Sequence, residues 1–249
     1  MIACNSKHPP GIIGIISGDL ARYPEFAQHL ERLLVPMGTT WKWVEGGSVE
    51  SNRNLVLNEM PDAAQWVWFI DDDHEYEREL LFKLLDRQVD IIQALCSTRK
   101  PPFRPYAYRR DPAAEPYGYI SADWDEIPLT GISEWDAAGT GGMLIRRNVL
   151  DAVGYPWFEV GRTAKDAPGE DLYFCTKAKA LGFRVFVDSD NWTGHMGKMT
   201  VWPGRHNDQW LVDLDLRHGV KVGVPREAWA TTKYEEIDPK HLRPSLVQR

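Results

Sequence analysis

Residues 66–73 run Trp66-Val67-Trp68-Phe69-Ile70-Asp71-Asp72-Asp73. An apolar, aromatic run stops on three carboxylates. Its length and composition predict a buried strand. The carboxylates then fall at the strand's C-terminal end, where open α/β sheets place their ligand crevice. Side chains alternate along an extended chain, so Asp71 and Asp73 should point one way and Asp72 the other. Two acids on one side repel each other unless a positive group lies between them. A hard divalent cation with oxygen ligands meets that need, and such ions commonly bridge to substrate phosphates. A solvated acidic turn would show the same three letters, so the rest of the chain has to decide.

Upstream, Gly11-Ile12-Ile13-Gly14-Ile15-Ile16-Ser17 has a short buried-strand pattern. Phe26, Leu30, Leu33 and Leu34 follow at helical spacing, with Pro36 as a stop. Thr40–Val44 is expected to be a second strand, and Ser51 the N-cap of a helix running to about Met60. Downstream, Leu80, Leu81, Leu84 and Leu85 share one helical face, and Asp90–Leu95 has the pattern of a fourth strand. This βαβαβαβ order implies an α/β fold with a mostly parallel central sheet and helices on both faces.

The periodicity breaks after Ser97. Residues 99–138 are rich in Pro, Tyr, Trp and charge, with short strands expected near Tyr106–Arg109 and Tyr117–Ile120. It returns at Gly139-Thr140-Gly141-Gly142, a stretch nearly free of side chains, running into the strand Met143-Leu144-Ile145-Arg146. Backbone without side chains can approach a ligand closely, although the same residues also suit a tight turn. Asn148 could cap a short helix holding Val149, Leu150 and Val153. Gly169-Glu170-Asp171 opens a helix that Gly182 should close at a C′-type position, followed by a strand at Arg184–Val187 and a Gly-His-Met-Gly loop around His195. Residues 1–198 are expected to form the main domain and 199–249 a C-terminal extension.

Composition bounds the function. The chain has 249 residues, enough for one large domain with a sizeable core. A net charge of −7 argues against a dedicated duplex-DNA binder. No apolar stretch reaches the ~18 residues of a membrane span, and the N-terminus lacks the order of a signal peptide. Cys4, Cys96 and Cys175 are scattered and odd in number, so neither a disulfide framework nor a zinc site is expected, and the cytoplasm is the expected location.

Four features in this order carry a resemblance: the strand into Asp71-Asp72-Asp73, the Gly-Gly-Met-Leu-Ile-Arg strand at 141–146, the Glu-Asp pair at 170–171 opening a helix, and the late His195. With the N-terminal strand–helix units they span roughly residues 11–197. The chain resembles glycosyltransferases of the GT-A fold, close in style to family 2 and its relatives. The resemblance implies a nucleotide-sugar donor, a UDP-sugar foremost, bound through Mn²⁺ or Mg²⁺. It implies Asp71, Asp73 and His195 around the metal, with Asp73 the direct ligand and Asp71 nearer the ribose or the metal's waters. An imidazole ligand suits Mn²⁺ better than Mg²⁺. It also implies that the aspartate of the Glu170–Asp171 pair is the general base of an inverting transfer; in a retaining enzyme the pair would instead bind a sugar hydroxyl.

Other residues are candidates for the donor site. Ser17, Arg53 and Arg99 could approach nucleotide or phosphates, and Gly141 and Gly142 the sugar. Each also has an ordinary role as a solvated charge or a turn residue. Lys100 stands beside Arg99 with the same two readings. Trp135, Trp157 and Phe158 could stack on a sugar or simply pack. Two rival classes stay open. A nucleotidyltransferase would also set strand-end acids around a metal, but Ser17-Gly18-Asp19-Leu20-Ala21-Arg22 is a poor phosphate loop. A non-catalytic nucleotide- or glycan-binding protein would not need Asp71, Asp73, Asp171 and His195 together. The acceptor could be a glycan, a protein or a hydroxymethylated phage DNA base. Arg99, Lys100, Arg104, Arg109 and Arg110, interleaved with Phe103, Tyr106 and Tyr108, would suit nucleic acid, while the acidic net charge favours a solvated loop.

Overall fold

The computed structural model describes residues 1–18, 23–111, 113, 118–160, 169–197, 200–206, 208–215, 221–224 and 243–244. Two short strand–helix units come first and lead into a third long strand. They comprise β1 (Ile2–Cys4), β2 (Ile12–Ser17), α1 (Pro24–Arg32), β3 (Leu34–Pro36), β4 (Thr40–Glu45), α2 (Val49–Asn58) and β5 (Trp66–Asp71). After a tight reversal come β6 (His74–Tyr76), α3 (Leu80–Asp86) and β7 (Ile91–Leu95). The irregular middle holds β8 (Ala107–Arg110), β9 (Tyr119–Ser121), β10 (Ile132–Trp135) and β11 (Ala137–Ala138). Then follow β12 (Met143–Arg146), α4 (Arg147–Val153), α5 (Glu170–Ala180) and the long β13 (Val185–His195). The chain closes with β14 (Thr200–His206), β15 (Gln209–Asp215), β16 (Lys221–Val224) and β17 (Arg243–Pro244).

The central sheet is mixed, which corrects the expectation of a mostly parallel one. Its order is β17-β16-β15-β14-β13-β7-β12-β5-β2-β4. Strands β4, β2 and β5 are mutually parallel, and β7 is parallel to β13. β12 lies antiparallel between β5 and β7 and separates these two groups. The sequence pattern shows strand and helix alternation but not where a strand inserts. After β13 the strands β14, β15 and β16 form an antiparallel meander.

The apolar run of β5 is continuous because both of its faces are covered. Val67 and Phe69 join one core layer with Val56 of α2, Leu150 of α4 and Phe174 of α5. Trp66, Trp68 and Ile70 join the other with Phe26 of α1 and Leu80 and Leu84 of α3. At ~25 cal/mol per Å² of apolar surface removed from water, each such side chain contributes roughly 1.5–3 kcal/mol. A polar residue inside β5 would therefore disrupt two layers at once.

Several boundaries differ from the sequence expectation. Ser48, not Ser51, is the N-cap residue of α2, and Arg146 occupies that place for α4, so Asn148 lies inside its helix. Leu33 and Leu34 leave α1, and Leu34 opens β3, which pairs in parallel with β1. Gly182, at φ +90°, follows α5 as expected. The largest difference is β13, which continues to His195, well past Val187. A register shift between Asp188 and Trp192 lets its first half pair with β7 and β10 and its second half with β6 and β14. Tyr117, Trp229 and residues 19–22 lie outside the described residues. Among the described residues no helix is long and apolar enough to cross a membrane.

Candidate active site

The site opens where β5 ends. Asp71 is the last residue of the strand, and Asp72 and Asp73 form the turn into β6. Asp72 turns away, accepting a short hydrogen bond from the buried Ser17 hydroxyl. Asp71 and Asp73 face a cleft of about 260 Å³ that is also lined by Arg53, Gln93, Arg99, Tyr106, Gly141, Glu170, Asp171 and His195. The two sides forecast from strand alternation are present, although a turn, not a continued strand, produces them.

Asp71 is fixed by α2. Arg53 is almost fully buried and donates from Nη2 to Asp71 Oδ1 at 3.2 Å and from Nε to Glu170 Oε1 at 3.2 Å. Its guanidinium lies over the rings of Phe69 (5.3 Å) and Phe158 (5.9 Å). Burial works against that cation, but Asp71, Glu170 and Asp171 together raise its pKa, so it stays charged. One further donor, Nη1, is buried with no hydrogen-bond partner among the described residues. Asn54, the next residue on α2, clamps the neighbouring loop by donating to Phe158 O at 2.7 Å and accepting from Trp157 N and Phe158 N.

Asp73 is held from three directions. His74 Nδ1 is 2.8 Å from Oδ1, while His195 Nε2 (3.3 Å) and Arg99 Nη1 (3.0 Å) approach Oδ2. Burial opposes ionisation here, but hydrogen bonds and charge from His195 and His74 hold Asp73 far below the ordinary carboxylate range. The two histidines meet because β6 and β13 pair in a register that sets His195 directly opposite His74. Side chains of directly opposed residues on one face of an antiparallel pair lie close together. Their rings stack at 4.3 Å with 16° between planes. Cys96, just past β7, adds a buried thiol to the pair; burial alone would raise its pKa, but the imidazoles pull it down to about 6.

Across the cleft, α5 begins with Glu170 and Asp171. Glu170 is occupied by Arg53, whereas among the described residues Asp171 Oδ1 accepts from its neighbour Leu172 N at 2.8 Å. Burial and then the charge of Glu170 push the Asp171 carboxyl up to about 7. A helix N-terminus alone would lower it; desolvation wins because the group sits in a walled cleft.

The glycine stretch has a steric reason. A Cβ on Gly141 would lie 2.8 Å from His74 Cε1 and 3.1 Å from Asp71 Oδ2. Gly142 adopts φ +97°, a left-handed conformation that side chains disfavour. Gly141 lines the cleft with Gly139 and Thr140, while Gly142 turns the chain into β12 beside Thr193.

Seven of the residues singled out in the sequence thus converge: Arg53, Asp71, Asp73, Gly141, Glu170, Asp171 and His195, with Arg99 at the rim. Ser17 and Gly142 act from behind. Trp135 and Phe158 are buried, and Trp157 donates its indole N–H to Leu150 O, so these aromatics pack. Arg104 pairs with Asp123, and Arg109 pairs with Glu126 and covers Trp135. That stretch is no open basic stripe. Sequence reasoning missed His74, Cys96 and Gln93. Gln93 had a signal, being a lone polar residue in the apolar run Ile91–Leu95, and its Oε1 is buried with no hydrogen-bond partner among the described residues.

No protein-family model and no curated protein matches the sequence. Solved structures do resemble the fold. The protein A197 from STIV superposes with a TM-score of 0.53 at 16% identity, over 84% of this chain and 95% of its own. GalNAc-T7, solved with UDP, GalNAc and Mn²⁺, gives 0.49 at 10% identity, over 77% of this chain and 45% of its own. S. aureus TarS gives 0.43 at 14% identity, over 73% of this chain and 35% of its own. The strand order, the acidic turn at the end of β5 and the likeness to A197 define a GT-A-like fold.

Proposed function

We propose that the protein is a metal-dependent glycosyltransferase that moves a sugar from a nucleotide-sugar, a UDP-sugar foremost, to a hydroxyl acceptor with inversion. One observation carries this reading. A single cleft sets a carboxyl with a pKa of about 7, Asp171, across from the Asp71–Asp73–His195 cluster.

The donor set suits the ion. Two carboxylates and an imidazole favour Mn²⁺, or Mg²⁺ through oxygen alone. When bound by Asp71, Asp73 and His195, the ion would supply Lewis-acid neutralisation of charge on the diphosphate leaving group. The remaining roles belong to the chain. Arg53 keeps Asp71 oriented. Arg99 is the exposed cation beside Asp73, placed to meet phosphate. Asp171 takes the proton from the acceptor hydroxyl as that oxygen bonds to the anomeric carbon, while the bond from that carbon to phosphate oxygen breaks and its electron pair leaves on the diphosphate. A base with a pKa near the working pH combines ionisation with proton affinity. Glu170 is spent on Arg53, so a single base is available. Residues 1–198 are assigned as the catalytic domain. The strands after them buttress it, Val201 pairing with His195 itself.

The test is a hydrolysis screen of nucleotide-sugars with Mn²⁺ and no acceptor. Consumption of one donor, abolished by chelator, is expected. If no nucleotide-sugar is bound or consumed in the presence of Mn²⁺, the reading fails.

A further inference from the structure

Behind the carboxylates lies a set of softer ligands. His74, Cys96 and His195 each bring one potential ligand atom to within 4.8 Å of the others. All three are buried, at 5%, 1% and 5% exposure. A second set, Asp71, Asp73 and His74, meets the same distance criterion, so His74 belongs to both. One set is oxygen-rich; the other is two imidazoles that also line the cleft and a thiol packed behind them.

Each ring is already oriented. His195 Nδ1 lies 3.0 Å from Ser97 O, and His74 Nδ1 lies 2.8 Å from Asp73 Oδ1. An imidazole with one nitrogen fixed by a carbonyl or carboxylate offers the other as a ligand, and this outer-partner arrangement is what metal-binding histidines use. The backbone supports the cluster from three strands, through the pairing of His195 with His74 and the place of Cys96 at the end of β7. Nothing in the glycosyltransferase reading needs a thiol here. A buried free cysteine usually packs as a small apolar residue, but this one is walled by two imidazoles.

We infer that His74, Cys96 and His195 form a second metal seat that selects a thiophilic divalent cation of the Zn²⁺ class. Two nitrogens and a thiolate favour Zn²⁺ over Mn²⁺ or Mg²⁺, with Asp73 or water available to complete a tetrahedron. Binding releases to solvent the protons that the two imidazoles and the thiol hold, as the metal–nitrogen and metal–sulfur bonds form. His195, claimed by both the proposed Mn²⁺ site and this seat, makes the two mutually exclusive, so Zn²⁺ displaces Mn²⁺ from the cleft. The seat itself stands whether or not the protein transfers sugar; only the competition rests on the proposed Mn²⁺ site.

The experiment uses the full chain, stripped with chelator and given equimolar Co²⁺ as a spectroscopic stand-in for Zn²⁺. The parent should show a thiolate-to-cobalt charge-transfer band in the near-ultraviolet, bleached by equimolar Zn²⁺. Cys96→Ser should lose the band and weaken Zn²⁺ binding at least ~100-fold, since losing even an outer partner costs about 10–100-fold. The other two thiols are Cys4 and Cys175, so the double variant Cys4→Ser/Cys175→Ser, which keeps Cys96, should retain the band. This second variant decides the matter even if Cys96→Ser folds poorly. Cobalt bound without a thiolate band, or a band lost in the double variant, overturns the seat. Calorimetry of UDP with Mn²⁺ on the parent is read separately; its failure would count against the glycosyltransferase reading and leave the meaning of the cobalt band intact.

Discussion

Strand β13 carries a charge cluster at each end of its course, and the two differ in saturation. In its first half, Asp188 is fully buried and its oxygens are filled. Arg87 donates from Nε and Nη2 at 2.8 and 2.9 Å, Asp190 N at 3.0 Å and Asn191 Nδ2 at 2.7 Å. At its last residue, His195 joins Asp73, His74 and Cys96 beside a cleft in which Arg53 Nη1 and Gln93 Oε1 have no hydrogen-bond partner among the described residues. Buried polar atoms are nearly always paired, and an exception calls for a cause. The Asp188 carboxylate is filled by its own neighbours and works as a brace, whereas the acids and imidazoles around His195 line an open cleft where a ligand can meet them. Asp171 belongs with the second end, since burial and then like charge push its carboxyl up to about 7.

Four experiments test the contrast between the two ends of β13. Asp73→Ala should have the largest effect, abolishing Mn²⁺-dependent nucleotide-sugar turnover while circular dichroism shows an intact fold. Turnover that persists in chelator would empty the cleft of its proposed metal. Asp171→Asn should lower transfer by ~10²–10⁴-fold, the usual contribution of a general base, with Mn²⁺ and UDP binding near parental by calorimetry. In the parent, the acid limb of the pH–rate profile should lie near the carboxyl's own value of about 7. A folded-state pKa raised above the unfolded one means the folded protein binds more protons in between, so this group's contribution to stability falls as pH rises through that window. Asp171→Asn should remove that slope in chemical denaturation. Normal transfer by the variant, or a retained anomer in the parent's product by NMR, would remove the base assignment.

The saturated end should behave oppositely. Arg87→Ala strands the buried Asp188 with two of its four donors gone and should cost about 3 kcal/mol in denaturation, with turnover per folded molecule near parental. Loss of activity without loss of stability would erase the distinction between brace and site. His195→Ala should be the mildest, weakening Mn²⁺ roughly 10–100-fold by titration while leaving the fold in place. Unchanged affinity would return His195 to a purely structural role.

The local sequence determined a good deal. The apolar run at 66–70 could be buried on both faces only inside a layered α/β fold, and the acids after it could only fall at the strand's end. Helical spacing placed the apolar face of α3 and, through Phe26 and Leu30, part of that of α1, and Gly169-Glu170-Asp171 marked the start of α5. These features depend on neighbours within a few residues, which sequence displays. Tertiary structure decided the rest. It put β12 antiparallel between β5 and β7, a choice made by pairing partners distant in the chain. It carried β13 on to His195 and set that residue against His74, because register across strands is fixed by both partners. It spent Glu170 on Arg53 and left Asp171 to burial, since a pKa depends on what surrounds a group in space, and α2 and α5 meet only in the folded chain.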